Sequence, residues 1–110
     1  MGFFDRFRRD SGASGDLRYL RQWAAQRSGV EAYVEPQTPV TPLTVVLVAA
    51  DGEWTRRAAG GPAGARRVGQ LLRIPVYDVQ KVGYPQRMRD FDARRRIERR
   101  RALRAELDGQ

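Results

Sequence analysis

The sequence predicts an α/β fold of the α+β type, with elements in the order α-β-β-β-α-β-α, a central antiparallel meander and a projecting basic C-terminal helix. Three observations carry this expectation. Stretches with apolar residues at helical spacing flank stretches that alternate with the period of a strand. The pair Asp51-Gly52 sits between two strand-like runs, where it signals a hairpin turn. After residue 92 the apolar positions thin out and arginine takes over. The chain has 110 residues, room for one hydrophobic core, since domains commonly run to about 100 to 150 residues.

Residues 1–15 read as a basic aromatic tip, Phe3, Phe4 and Phe7 beside Arg6, Arg8 and Arg9, joined to the fold by the linker-like Asp10-Ser11-Gly12-Ala13-Ser14-Gly15. The compact domain is expected over 16–92. Its first helix runs from Asp16 to Arg27, with Leu17, Leu20, Trp23 and Ala24 on one face and Ser14 or Asp16 as cap; Gly29 stops it. In Val30 to Glu35, Val30, Ala32 and Val34 share one face and Glu31, Tyr33 and Glu35 the other. Pro36, Pro39 and Pro42 impose a loop. Leu43 to Ala50 is apolar and rich in β-branched residues, which predicts the central strand. The returning strand, Glu53 to Ala58, sets Trp54, Arg56 and Ala58 against Glu53, Thr55 and Arg57.

Gly60-Gly61-Pro62 opens a second helix, with Ala65, Val68, Leu71 and Leu72 as its buried stripe and Gly64 and Gly69 weakening it. A further strand is expected at Val76-Tyr77-Asp78-Val79. Gly83-Tyr84-Pro85 precedes the last helix, which starts near Gln86 and docks through Met88 and Phe91. Its extension, 93–110, carries Arg94, Arg95, Arg96, Arg99, Arg100, Arg101 and Arg104 in nearly every direction around the axis, with Ala93, Ile97, Leu103 and Leu107 as a thin apolar edge.

Composition excludes several function classes. The chain has neither cysteine nor histidine, so disulfides, thiolate chemistry, zinc fingers and imidazole-based triads are out. No catalytic residue, metal site or cofactor is predicted. No signal-peptide core and no apolar run of membrane-spanning length is visible, and Arg6 stands where a myristoylation signal wants Ser or Thr. The expected location is the cytoplasm, at most peripheral at the inner membrane.

Net charge is +8, and it is concentrated at the ends. Residues 1–28 hold six arginines against three acids, residues 81–110 ten basic residues against five acids, and the centre is balanced. Such ends attract a polyanion. The arginines of the last helix can neutralise phosphates and release counterions, and the planar guanidinium offers a bidentate fork to phosphate oxygens. Arg56, Arg57, Arg66, Arg67, Arg87 and Arg89 are expected to assist. At Gly60-Gly61-Pro62-Ala63-Gly64-Ala65-Arg66-Arg67 a helix N-terminus with two arginines could hold a phosphate, although neither a Walker A loop nor a dinucleotide turn is present. In Tyr84-Pro85-Gln86-Arg87-Met88-Arg89 the tyrosine could stack on a base or pack beneath the sheet. Asp51, Glu53, Asp78 and Asp90 fall at element ends, where carboxylates could bind magnesium, but turn formation by Asp51 and surface exposure of the others explain the same residues with less.

The order helix, meander, helix over Asp16 to Leu72 resembles the double-stranded-RNA-binding domain, which implies phosphate contacts near Arg66 and Arg67. That family's Lys-Lys-x-Ala-Lys motif is absent here, as is its Gly-Pro-x-His loop. The segments Thr44 to Arg57 and Ile74 to Phe91 look like a family of small actinobacterial proteins of undetermined function that often carry a generic oxidoreductase label. That likeness implies a small enzyme, yet no Rossmann glycine pattern, flavin motif or redox cysteine accompanies it. The leading expectation is a non-enzymatic module binding nucleic acid, RNA or a ribonucleoprotein in preference to a specific DNA site, because no DNA recognition-helix motif is evident. The runner-up is an adaptor that uses Phe3, Phe4 and Phe7 on an anionic membrane surface or an acidic protein partner.

Overall fold

The computed structural model describes residues 15–109. The aromatic tip, the linker up to Ser14 and the Ser14 cap lie outside them. The first helix, α1 (residues 15–25), buries Leu20 and Trp23, with Leu17, Tyr19 and Ala24 packed alongside. It closes with two short turns, Gln26 N to Trp23 O and Arg27 N to Ala24 O, and the chain reverses at Gly29 (φ 62°).

Strands β1 (Glu31–Glu35), β2 (Thr44–Val48) and β3 (Trp54–Ala58) form the predicted meander. Both pairings are antiparallel, with Tyr33 opposite Val46 and Val46 opposite Arg56. The β2–β3 turn is closed by Gly52 N to Ala49 O and by Glu53 N to the Asp51 carboxylate. Gly52 has φ 94°, and a Cβ there would lie 2.0 Å from the Arg87 carbonyl oxygen. The turn therefore needs glycine twice over, for its left-handed backbone and for the close approach of the last helix.

Helix α2 (Gly61–Leu72) ends at Arg73, itself left-handed with φ 54°. Ala65 and Val68 are buried and Leu72 packs partly beneath, but Leu71, expected in the stripe, is half exposed. Gly64, expected only to weaken the helix, lies so close to the Ala59 carbonyl that no Cβ fits between them. Strand β4 (Val76–Asp78) then joins the opposite side of β1 in parallel, giving the order β3-β2-β1-β4. The strand expected to reach Val79 stops at Asp78, whose carboxylate caps a one-turn helix, α3 (Val79–Val82), absent from the sequence expectation. Helix α4 runs from Gln86 to Asp108.

The sheet is covered on both faces. On one, α1 and α2 pack on Ala32, Val45 and Leu47; on the other, Met88 of α4 packs on Tyr33, Val46 and Val48. Alternation along β2 sends successive valines and leucine to opposite layers. This is why its apolar run is continuous although its partners are antiparallel.

Candidate nucleic-acid interface

Helix α4 begins as a packed element and ends as a free one. Near its start, Arg87 donates through Nη2 to Glu31 Oε1 at 2.6 Å and through Nε to the Ala49 carbonyl at 2.9 Å. One turn on, Asp92 accepts from the Trp54 indole at 2.9 Å. Arg94 lies over the Phe91 ring and donates to the Asp51 carbonyl at 2.9 Å. These contacts hold α4 against the β2–β3 turn. From Arg94 to Gly109 every residue is exposed.

That exposed stretch carries seven arginines against Glu98, Glu106 and Asp108. Among the described residues its one ion pair is Arg95 with Glu98, at 3.9 Å. Arg96, Arg99, Arg100, Arg101 and Arg104 are exposed, and none of them forms an ion pair among the described residues. Ile97, Leu103 and Leu107 are exposed along the predicted thin edge.

The other predicted arginines are placed differently. Arg56, on the α4 face of the sheet, pairs with Glu35 through two hydrogen bonds, at 2.6 and 2.9 Å. Glu35 also accepts from the Thr44 hydroxyl at 2.6 Å and from the Tyr84 hydroxyl. Burial alone would raise the Glu35 carboxyl, but these donors outweigh it and hold the group at about 2. The Tyr84 hydroxyl is pushed up, by burial and by the Glu35 carboxylate it faces. Glu31 is lowered: burial works against its charge, and the bonds from Arg87 and Tyr33 overcome it. Arg87 itself is raised, its desolvation exceeded by the pairing with Glu31.

Arg56 and Arg87 are thus bound to carboxylates that lie within the fold, and Tyr84 packs beneath the sheet. Arg89 stays exposed while donating to the Tyr84 carbonyl at 3.1 Å. Arg57 lies over the Tyr19 ring on the α1 face. Arg66 and Arg67 are exposed on α2, also on that side of the sheet. The structure therefore groups Arg94 to Arg104 in one place and sets Arg57, Arg66 and Arg67 across the sheet from them.

The row Glu31, Tyr33, Glu35 is the feature sequence reasoning missed. Alternation marks it only as the second face of β1, yet it is the seat of α4. Two carboxylates at strand spacing, with Arg56 and Arg87 elsewhere in the chain to meet them, were the available signal.

Asp51, Glu53, Asp78 and Asp90 are dispersed. Asp51 accepts from Glu53 N, Glu53 pairs with Arg27, Asp78 caps α3 and Asp90 accepts from Gln86. Among the described residues no three His, Cys, Asp or Glu side chains converge. An open cleft of about 600 Å³ lies between α2 and the β1–β4 edge, walled by Val34, Leu43, Ile74 and Val76, with Arg66 and Asp78 as its charged residues. No helix among the described residues is long and apolar enough to cross a membrane. Phe3, Phe4 and Phe7 lie outside the described residues. Comparison with protein-family models, curated proteins and solved structures finds no match to this chain.

Proposed function

We propose that the protein is a non-enzymatic module that binds nucleic acid through the exposed part of α4. The observation that carries this reading is the unbroken exposure of residues 94–109 with seven arginines among them. Such a helix is electrostatically unfinished. Arg95 and Arg99, Arg96 and Arg100, and Arg100 and Arg104 are like charges at i,i+4, a spacing that destabilises a helix by about 0.2 to 0.5 kcal/mol per pair. Phosphates brought alongside would turn each repulsion into an attraction and release condensed counterions.

Fluorescence anisotropy on labelled RNA and DNA, with anionic vesicles as the parallel ligand, tests the reading. Nucleic acid should bind at low salt and weaken steeply as salt rises, the logarithmic slope losing about 0.7 to 0.9 for each phosphate contact removed. The variant R95Q/R99Q/R100Q/R104Q should bind at least about tenfold more weakly. Deleting residues 1–9 should leave binding in place. Vesicle binding that disappears with that deletion, without nucleic-acid binding, would support the adaptor instead. No binding to either ligand at low salt would refute both.

A further inference from the structure

We infer that the ligand of α4 is double-stranded nucleic acid in the B form, with the helix lying in its major groove. The inference rests on the nucleic-acid reading and adds the shape of the partner. With about 100° between successive residues, Arg101 lies on the side where Arg94 is held to the β2–β3 turn, Arg95 and Arg99 on the next, Arg96 and Arg100 on the one after, and Arg104 closes the ring. A flat anionic surface or a single strand meets one side of a helix and leaves the opposite arginines in water. A groove places phosphates along both walls, so it matches a helix charged all round.

The dimensions agree. A helix with side chains is about 10 to 12 Å across, and the B-form major groove is about 12 Å wide and 8.5 Å deep. The A-form major groove of duplex RNA is deep and too narrow for side chains to read. Residues 95–109, beyond the contact that Arg94 makes with the β2–β3 turn, span about 22 Å at 1.5 Å per residue, or roughly six to seven base pairs at 3.4 Å each. Their free length suits one passage through a groove, with the packed start of α4 keeping the body outside.

Composition points the same way. No aromatic residue follows Phe91, so the exposed stretch lacks the stacking platforms by which proteins hold single strands. Residues 94–109 also lack Asn, Gln, Ser and Thr, the neutral side chains that read base edges alongside arginine. The expected mode is tolerant of sequence and directed at phosphates. These features favour duplex DNA over the RNA that the sequence alone suggests.

The test uses the full chain and four labelled ligands of one sequence, each about 20 nucleotides long: DNA duplex, RNA duplex, and the two single strands, at about 50 and 200 mM salt. The DNA duplex should bind at least about fivefold more tightly than the RNA duplex or either single strand, and scrambling its sequence should change affinity less than about threefold. Methyl green, which fills the major groove, should compete more strongly than netropsin, which fills the minor groove. RNA bound as tightly as the DNA duplex, or stronger competition by netropsin, would overturn the groove assignment while leaving nucleic-acid binding intact. Failure of all four ligands to bind at the lower salt would overturn the underlying reading.

Discussion

Glu35 accepts hydrogen bonds from Thr44, from two nitrogens of Arg56 and from Tyr84. Its charge is thus integral to the packing of β1, β2 and β3 with the loop before α4. Because its folded value, about 2, lies below the roughly 4.3 of an unfolded glutamate, the carboxylate stabilises the fold fully above that unfolded value. The contribution is lost as pH falls from there toward the folded value. The E35Q variant should be less stable at neutral pH by roughly 2 kcal/mol, a figure reduced for the screening that half-exposed Arg56 receives. Urea unfolding at several pH values would show the two proteins converging as acid protonates the wild type. A gap that stays constant between about pH 7 and pH 3 would contradict the assignment.

At the scale of elements, α4 is two things joined end to end. Met88, Arg87 and Asp92 fix its first turns to the sheet, and nothing among the described residues buries the part after Arg94. Ending the chain after residue 95 should therefore change unfolding free energy by less than about 1 kcal/mol while removing nucleic-acid binding, as urea unfolding and anisotropy would report. A large loss of stability would mean that the tail packs on the body. The sequence made this division legible, because arginine displaces apolar residues after position 92 and periodicity fails there. It also made the meander legible through alternation and the Asp51-Gly52 turn. The seat of α4 was harder to see, because Glu31 and Glu35 resemble solvent-facing residues until partners 56 and 21 positions away are brought over them. Single-turn α3 was obscured by an equally local effect. Val76 to Val79 has strand composition, and a side-chain cap from Asp78 ends the strand early.

Across the whole molecule, the sheet separates two sets of arginines. The α4 tail extends from one face, while Arg57, Arg66 and Arg67 belong to the α1–α2 face. With packed layers about 8 to 10 Å thick, a phosphate on one side is farther from the other set than the screening length of about 8 Å at physiological salt. The two sets should thus act independently. The R66Q/R67Q variant is expected to keep nucleic-acid affinity within about twofold of wild type at that ionic strength, whereas R99Q/R100Q lowers it clearly and reduces the salt slope by up to about 2. Anisotropy titrations of both variants on the same duplex decide the matter. If R66Q/R67Q lost as much affinity as the tail variant, α2 would share the contact, and a ligand confined to the tail would be ruled out.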